Sequence, residues 1–350
     1  MQLELKNGTV IGDDRPVFIV AEIGLCHNGS EEQAMEMIRR SAEAGVDAVK
    51  FQKRDVPNLT TRELLDAPDE RFPTLGRTYR EIREAVEFDL DTYERLKSLA
   101  ESLGLLFFAS VFDEKSAHEM AELDLHLLKI ASHVLTRKPL IEKLCDLGIP
   151  TLASTGMAYL DEIDETTAAF RAVGLLHGLF HCVSIYPHAA DRANLRMIRY
   201  MQERYQVPVG YSCHEIANTS SLLSIAAGAC MLERHVTLDR SADGFDHKFA
   251  LDMPGLAEFV SQVREAEAAM GSIEKTVSEE EWVTRKKYHC SVVSRCAIPE
   301  GTVIDRQLLT VKNPGTGIPA RRIDDVVGQR ARIDIPEDVL LDNEMLEPGI

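Results

Sequence analysis

The chain has 350 residues with 57 acidic and 39 basic side chains, and its formal net charge of −18 argues against nucleic acid as a partner because a phosphate backbone would be repelled. Its length exceeds what one hydrophobic core usually organises, which predicts two domains, and its apolar runs fall short of the roughly 20 residues that span a membrane. Seven cysteines without paired spacing and an N-terminus without signal-peptide features predict a protein of the reducing cytoplasm.

The first predicted element is a β-hairpin. Residues Gln2–Ile11 alternate apolar and polar side chains around Asn7 and Gly8, a dipeptide that favours a type I′ turn. We expect this hairpin to cover the closed end of a barrel that the following elements form.

Eight short, apolar, β-branched runs follow, and segments with helical periodicity separate them. The predicted strands are Phe18–Ala21, Val46–Val49, Leu105–Ala109, Leu127–Leu128, Pro150–Ala153, Leu179–Val183, Val207–Tyr211 and Ala229–Leu232. The predicted helices include Ser30–Ala44, Thr92–Ser102, Leu140–Leu147, Asp161–Val173, Ala193–Tyr205 and Ala217–Ala227. Eight strand–helix units over roughly 270 residues match an α/β fold, the (β/α)8 TIM barrel. The turn 24–29 lacks the glycine spacing of a dinucleotide-binding sheet.

A change of composition near Ser278 indicates the end of the barrel domain. Three consecutive glutamates follow Ser278 and begin a predicted helical linker, and the rest of the chain has short β-branched runs broken by proline and glycine. We therefore assign the barrel to residues 1–277, the linker to 278–290 and a small β-rich domain to 291–350. A domain of about 60 residues is marginal alone, so we expect it to dock on another surface.

Polar residues follow most of the predicted strands, where the side chains of a parallel barrel meet at one rim. Lys50 and Lys129 follow runs predicted to be buried, where an unpaired ammonium group costs several kcal/mol. One interpretation is a structural Lys–Glu pair inside the barrel, and the other is a cradle for phosphate or carboxylate. Nearby hydroxyls favour the cradle, namely those of Ser110, Ser132, Ser154, Thr155 and Ser212. A Schiff-base lysine is the competing function, for which one lysine would be enough.

Two histidines supply a second chemical pattern. His214 and His235 follow the seventh and eighth predicted strands, which are neighbours in a barrel, so their imidazoles can converge. Two histidines with a carboxylate and open positions suit Mn, Co, Fe or Zn better than Mg. Glu22 follows the first strand, which closes against the eighth, and can reach the same point. A histidine pair alone is weak evidence, but the charged residues Glu233 and Arg234 strengthen it because packing does not require them beside a buried run.

Several motifs occur together along the chain: Ala21–Gly29, Val49–Gln52, Lys129–Ser132, Ser154–Met157, His181–Pro187, Gly210–His214, Leu232–His235, Asp243–Lys248 and Val311–Gly317. In this order they resemble the N-acetylneuraminate (sialic acid) synthase family, whose relatives include spore-coat, pseudaminic acid and legionaminic acid synthases. The segment Ser291–Glu347 is similar to the antifreeze-like (SAF) domain of that family. The resemblance spans nearly the whole chain.

The resemblance implies an enzyme that condenses phosphoenolpyruvate with the open-chain aldehyde of an N-acyl amino sugar, giving a nine-carbon 2-keto acid and phosphate for surface polysaccharides. His214 and His235 would hold a divalent metal, usually Mn, with Mg and Co as alternatives, and Glu22 and Lys129 would take part in catalysis. The residues implied in substrate binding are Lys50, Gln52, Ser110, Ser132, Ser154, Ser184, Tyr186, Ser212, Asp246 and Lys248. A domain-swapped homodimer is also implied, in which the SAF domain covers the active site of the other subunit.

Two positions depart from the family pattern. Val134 stands where an acidic residue is expected, so either the glutamate of the first strand serves the water step, His133 substitutes, or the activity is impaired. Asn313 replaces an arginine that reaches the N-acyl group of the acceptor, which puts N-acetylmannosamine in doubt as the acceptor. Arg321 and Arg322 are either its replacements or a solvated surface pair. The alternative functions are a non-catalytic carbohydrate-binding protein and a Schiff-base aldolase.

Overall fold

The chain folds as two compact units, Met1–Gly271 and Ser272–Ile350. The computed structural model describes residues 1–347, so the end of the predicted SAF domain, 348–350, lies outside the described residues. Within residues 1–347, no helix is long and apolar enough to cross a membrane.

An antiparallel hairpin precedes the barrel, as expected, and consists of β1 (Gln2–Glu4) and β2 (Val10–Gly12). Its turn differs from the predicted type I′, which needs positive φ at both central residues. Of these two residues only Gly8 has positive φ, at 86°, and its amide donates to the carbonyl of Leu5 at 2.9 Å. Leu3 and Leu5 are buried in a cluster with residues near the starts of the barrel strands, so the hairpin covers the amino-terminal end of the barrel.

Eight parallel strands form a closed barrel, because the last of them pairs with both the seventh and the first. The strands are β3 (Phe18–Gly24), β4 (Ala48–Lys53), β5 (Leu106–Val111), β6 (Leu128–Ile130), β7 (Thr151–Ser154), β8 (His177–Cys182), β9 (Val209–Cys213) and β10 (Met231–Thr237). A two-residue strand, β11 (Leu251–Asp252), pairs with the end of β10. The predicted (β/α)8 fold is confirmed.

Several strands extend further than predicted. Seven polar residues were expected after their strands, and this placement is wrong because each lies within its strand: Glu22, Lys50, Ser110, Lys129, Ser154, Ser212 and His235. The carboxyl-terminal half of the barrel interior is polar, so the hydrophobic pattern ends before the backbone pairing does. The register places Glu22 beside Lys50 and Ser110 beside Lys129, and Lys50 reaches Ser110 through a side-chain hydrogen bond of 2.7 Å.

Helices alternate with the barrel strands, and their apolar residues share a core with them. They are α1 (Glu31–Ala44), α2 (Arg62–Leu65), α3 (Tyr79–Glu84), α4 (Leu90–Ser102), α5 (Glu114–Glu122), α6 (Lys138–Leu147), α7 (Leu160–Ala172), α8 (Arg196–Tyr205), α9 (Thr219–Ala226) and α10 (Met253–Met270). The six helices named from the sequence all form. Helix α5 was not among them, because its short apolar stripe contains only Ala117 and Met120 as buried apolar residues.

The second unit begins with a helix and continues as a small β-rich domain. Helix α11 (Glu279–Tyr288) starts at Ser278, whose side chain forms a capping box with Glu281. Strands β12 (Ser291–Ser294) and β13 (Leu309–Lys312) pair antiparallel, and α12 spans Ile323–Val326. The apolar core of this unit is its own and consists of Val292, Ile298, Ile304, Leu309, Ile318, Ile323, Val326, Ala331, Ile335, Leu341 and Leu346.

Acid should destabilise the barrel through His27, which follows β3. The ring is 1% exposed, stacks on Phe88 at 4.2 Å and accepts the Gly29 amide at Nδ1. Burial lowers the pKa of His27 to about 3, below its usual value of 6.5. The neutral ring therefore stabilises the folded state above pH 6.5, and this contribution is lost as the pH falls toward 3. Between pH 7 and pH 5 the loss is about 2 kcal/mol.

Urea unfolding at pH 7 and pH 5 measures this effect, with His27→Asn as the comparison because its side-chain oxygen can still accept from the Gly29 amide. We expect the pH-dependent loss of unfolding free energy to be about 2 kcal/mol smaller in the variant. Equal losses in the two proteins would contradict the assignment.

Candidate active site

Two lysines and two glutamates form a buried charged cluster inside the barrel, toward the carboxyl ends of the strands. Lys50 Nζ lies 2.6 Å from Glu22 Oε2 and 3.8 Å from Glu233 Oε2. Lys129 Nζ donates to Glu233 Oε1 at 2.6 Å. The four side chains are between 1% and 4% exposed. Both lysines are therefore ion-paired, as in the structural interpretation, and whether the cluster also binds an anion remains a prediction.

The electrostatics of the charged cluster depend on burial and on its opposite charges. Burial raises the pKa of Glu22, because its charged form loses water. Burial likewise lowers the pKa of Lys129. For Glu233, burial opposes ionisation, but the ammonium groups of Lys129 and Lys50 outweigh it and hold the pKa below its usual value. Glu233 is thus the firmest negative charge of the cluster, and Glu22 is the carboxylate that takes a proton more readily.

Predicted binding hydroxyls contact the charged cluster from neighbouring strands. Ser110 Oγ accepts from Lys50 Nζ at 2.7 Å, and Ser212 Oγ donates to Glu233 Oε1 at 3.0 Å. Ser154 is buried at the end of β7. The barrel therefore brings Ser110 and Ser212 into contact with the charged cluster, and Ser154 lies two residues beyond Leu152, the register partner of Lys129.

Two further serines lie above the strand ends and approach each other across Gly156. A Cβ atom at Gly156 would lie 2.3 Å from Ser184 Oγ and 2.9 Å from Ser132 Oγ, so only glycine leaves room there. Ser132 Oγ accepts the Gly156 amide at 3.1 Å. Ser184 Oγ is buried and has no hydrogen-bond partner among residues 1–347, which leaves its hydroxyl available to a ligand.

The predicted histidine pair is present: His214 directly follows β9, as predicted, whereas His235 lies within β10. The His214 and His235 ring centroids are 5.4 Å apart. Nδ1 of His214 lies 3.1 Å from the carbonyl oxygen of Val183, which can only accept, so the lone pair of this imidazole is on Nε2. Nδ1 of His235 is buried without a hydrogen bond, 3.5 Å from Asp246 Oδ2. Burial lowers the pKa of both histidines to about 4, so both rings are neutral at neutral pH.

A divalent metal fits this pair in chemistry, although the protein alone does not complete its coordination. Among residues 1–347, no group of three or more His, Cys, Asp or Glu side chains is arranged to hold an ion. His214 nevertheless has the form of a metal ligand, because a neutral imidazole whose other nitrogen donates to a carbonyl is typical of such ligands. In His235, Nδ1 lies 3.5 Å from Asp246 Oδ2, and a carboxylate on that side leaves Nε2 for a metal. Catalytic metal sites leave open positions for water and substrate, and this pair would leave several.

A pocket of about 170 Å³ opens at the rim of the barrel and is bordered by His235 of this pair. Gln52, Ser132, Tyr186, His235 and Asp246 line it, and all five were predicted to act in the site. The predicted residues of the charged cluster, its serines and His214 lie below or beside this pocket and are not among its lining residues. Lys248 is exposed and lines neither the pocket nor the charged cluster. A larger cleft of about 600 Å³ lies at the opposite, amino-terminal end and contains none of the predicted residues.

Comparison with known proteins decides the family. A model described as the NeuB family matches residues 37–275, and a SAF domain model matches residues 291–347. The chain belongs to the NeuB family. The resemblance inferred from the motifs is confirmed, and the small β-rich domain is of the SAF type.

Curated and solved NeuB relatives match nearly the whole chain. The human N-acetylneuraminate-9-phosphate synthase is 35% identical over 99% of this chain and 97% of its own length. The N,N′-diacetyllegionaminic acid synthase of Legionella pneumophila is 32% identical over 93% of each chain. A crystal structure of N-acetylneuraminic acid synthetase from Leptospira borgpetersenii, in complex with citrate, is similar with a TM-score of 0.71 at 30% identity, over 81% of this chain and 95% of that one.

The structure shows where the two positions that depart from the family pattern lie, and where His133 lies beside one of them. Val134 is 8% exposed and packs in the barrel core, so no carboxylate faces the pocket from that position. Its neighbour His133 lines the pocket instead. Burial, and then the positive charges of Arg54 and Arg83, lower the pKa of His133 to about 4. Asn313 is exposed in the second unit.

The sequence interpretation missed four residues that border the site or belong to it. Glu233 was read only as support for His235, although alternation along β10 places both on the inner face. Arg54 follows Lys50 and Gln52 at the same two-residue spacing and could have been found in that way. Arg83 lies on α3, and Phe245 precedes Asp246 in a loop. Neither carries a local signal, since only the tertiary fold brings them to the pocket.

Proposed function

We propose that this protein condenses phosphoenolpyruvate with the open-chain aldehyde of an N-acyl amino sugar, giving a nine-carbon 2-keto acid and phosphate. The observation that carries the proposal is the buried charged cluster beside the His214 and His235 pair, in a chain of the NeuB family. Such a reaction needs one group of residues that holds an anionic donor and another that stabilises charge on the acceptor. Positioning of the two substrates is the main contribution required of the protein.

The donor fits the side of the site that contains the lysines. Lys50 and Lys129 provide ammonium groups for the phosphate and carboxylate of phosphoenolpyruvate. Ser110 already bonds to Lys50, and Ser184 Oγ is free to donate to a donor oxygen. With all four members charged, however, the charged cluster is neutral overall. The lysines alone therefore do not offset a multiply charged donor.

A divalent cation supplies the positive charge that is still required. His214 and His235 are its proposed protein ligands, and Asp246 positions the His235 ring from 3.5 Å. When bound, the ion acts as a Lewis acid for the alkoxide that develops on the aldehyde oxygen. Mn²⁺ is the proposed ion, with Co²⁺ and Mg²⁺ as alternatives, and imidazole ligands suit the first two better.

Glu22 is the proposed base for the water step. As C3 of the donor attacks the aldehyde carbon, C2 becomes cationic and takes up water, and phosphate then leaves by C–O cleavage. Glu22 has a pKa raised by burial, which suits a group that accepts a proton and returns it. Lys50 holds its Oε2 atom and Gln52 donates to its Oε1 atom, so the carboxylate is fixed in place. Val134 takes no part, because its side chain is apolar.

The setting of this activity is also part of the proposal. The product belongs to surface polysaccharide synthesis in the cytoplasm, which agrees with seven cysteines that form no disulfide within residues 1–347. The active unit is a domain-swapped homodimer, for which the exposed apolar side chains of Trp282, Val283 and Tyr288 on α11 offer packing surface.

Oxygen labelling tests the reaction directly. The full chain is incubated with Mn²⁺, N-acyl hexosamines and phosphoenolpyruvate labelled with ¹⁸O in the bridging C–O–P oxygen. We expect acceptor-dependent phosphate that contains the label, since C–O cleavage leaves the bridging oxygen on phosphorus. A phosphatase that cleaves the P–O bond would leave the label in pyruvate.

Two outcomes would reject the proposal. One is the absence of phosphate release with every acceptor, which favours a non-catalytic sugar-binding protein. The other is a borohydride-trapped adduct of pyruvate on Lys50 or Lys129, which favours the aldolase. Lys97→Met is the matched lysine control, because Lys97 pairs with Glu101 on the exposed face of α4.

A further inference from the structure

Two arginines, Arg54 and Arg83, border the same pocket as His235 and Asp246, and we call them the arginine pair. Nothing in the proposed condensation of a neutral amino sugar uses them. The chain as a whole carries a charge of −18, so two guanidinium groups at one pocket stand out against their surroundings. Their contacts indicate what they could bind.

Arg54 is 7% exposed and lies flat on the Phe112 ring, with the guanidinium carbon 3.8 Å from the centroid. One terminal nitrogen donates to Gln52 Oε1. The other, Nη1, is buried without a hydrogen bond and lies 3.6 Å from Glu87 Oε1. Gln52 in turn donates to Glu22, so a chain of hydrogen bonds joins Arg54 to the proposed base.

Arg83 is the less satisfied member of the arginine pair. Its guanidinium lies 4.3 Å from the Phe245 ring centroid and 5.1 Å from that of Tyr79, an arrangement that leaves the edge nitrogens open. Its Nε is buried without a hydrogen bond, and among residues 1–347 it forms no ion pair within 4.0 Å. Asp69, a nearby acid, pairs with Arg71 at 2.6 Å instead.

The positive charges of Arg54 and Arg83 repel each other, and the acidic side chains near the pocket do not fully neutralise them. Burial and then the charge of Arg83 lower the pKa of Arg54 to about 10. Glu87 offsets Arg54 but also lies 3.9 Å from Lys53 Nζ. Asp246 lines the pocket, and its one close contact of this kind within residues 1–347 is with the neutral His235 ring, at 3.5 Å. An anionic group bound between the two guanidiniums would remove the repulsion.

We propose that the acceptor sugar carries an anionic group at the end remote from its aldehyde, and that Arg54 and Arg83 bind this group. The inference rests on the proposed function, because it places the aldehyde carbon at the end of the pocket formed by His235 and Asp246. The remote carbon of an open-chain hexose is C6. A phosphate monoester at C6 and a C6 carboxylate share the required chemistry, and His133 can add a neutral N–H donor.

Carbon counting links this inference to one relative. Three carbons of the product come from phosphoenolpyruvate, so C6 of a hexosamine becomes C9 of the nine-carbon acid. The human relative is named a 9-phosphate synthase, whereas the Leptospira relative is named without a phosphate. The comparisons therefore leave both acceptor classes open, and the arginine pair favours the anionic one.

The test compares kcat/KM for an N-acyl hexosamine, its 6-phosphate and its 6-carboxylate. For the wild-type protein we expect at least about a tenfold preference for one anionic acceptor, and the better of the two identifies the group. Arg83→Gln should abolish most of that preference. Arg80→Gln is the matched control, because Arg80 lies on the same helix but pairs with Asp66 at 2.7 Å and does not line the pocket.

Equilibrium binding separates a failure of this inference from a failure of the proposed function. Calorimetry with hexosamine 6-phosphate, the 6-carboxylate, the neutral sugar and inorganic phosphate needs no turnover. Tighter binding of an anionic sugar than of the neutral sugar, weakened at least about tenfold by Arg83→Gln, supports the inference even if no condensation occurs. Equal affinity for anionic and neutral sugars, or equal losses for both in the variant, overturns it.

Discussion

His235→Ala is expected to lower kcat by about a thousandfold or more while the barrel remains folded. The variant removes one of two proposed metal ligands, and Lewis-acid stabilisation of the acceptor alkoxide contributes several kcal/mol. The ring is buried and packs on His214 at 5.4 Å and Phe249 at 5.2 Å, so we expect some loss of stability, whereas the strand pairing of the barrel does not depend on this side chain. A wild-type circular dichroism spectrum together with a large loss of turnover is the expected combination.

The metal itself can be followed independently of turnover. Titration with Mn²⁺, monitored by electron paramagnetic resonance, should show tight binding to the wild-type protein and a loss of at least about tenfold in affinity for His235→Ala. His118→Ala is the matched control, because His118 is 59% exposed and lies on α5, away from the pocket. If His235→Ala binds Mn²⁺ like the wild-type protein, the ligand assignment is wrong.

The fold was largely predictable because a parallel barrel repeats one simple pattern. Runs such as Leu105–Ala109 are apolar on both faces, and each is separated from the next by a segment with helical period. The errors have local causes. The hairpin turn has positive φ at Gly8 alone, so an Asn-Gly pair does not by itself determine the turn type. The strands continue through Lys50 and Lys129 because partner carboxylates make charge tolerable inside the barrel.

The site was predictable where its residues lie on the barrel strands or in the loops that directly follow them, as Ser132 and His214 do. Residues two apart on one strand face the same side, which is why Lys50 and Gln52 of one motif both reach the site. Contacts between distant segments were not predictable in this way. Arg83 reaches the pocket from α3, and its Nε lacks a hydrogen bond, a fact that no sequence pattern carries. The same holds for Val134, which was expected to face the site and packs in the core.

The paired lysines change how donor binding is best understood. A site that binds an anion only occasionally cannot leave two ammonium groups buried and unpaired, since each costs several kcal/mol. Between binding events, Glu22 and Glu233 offset this cost because they form ion pairs with the two lysines. In the proposed reaction the donor would share the lysines with two carboxylates, so the charge balance at the site would include the proposed cation at His214 and His235 and the protonation of Glu22. Donor and metal binding should accordingly strengthen each other.

Lys129→Met is expected to weaken phosphoenolpyruvate binding by at least about a hundredfold. The bound phosphoenolpyruvate would lose a charge-assisted hydrogen bond, and the negative charge of Glu233, no longer neutralised by Lys129, would repel it. The same change leaves a buried carboxylate without its partner, which should cost about 3–5 kcal/mol of unfolding free energy. Glu233→Gln in the Lys129→Met background separates the two effects. Stability should largely return in the double variant, whereas donor affinity should stay low.

Lys53→Met provides the matched control, because Lys53 is also buried, ends β4 and donates to the carbonyl of Phe88 at 2.9 Å outside the charged cluster. It should lose stability and keep its donor affinity. Calorimetric titration with phosphoenolpyruvate and urea unfolding give both quantities for each variant, with Glu233→Gln alone as the baseline for non-additivity. If the double variant binds the donor as tightly as Glu233→Gln does, Lys129 only neutralises Glu233 and the donor is held elsewhere.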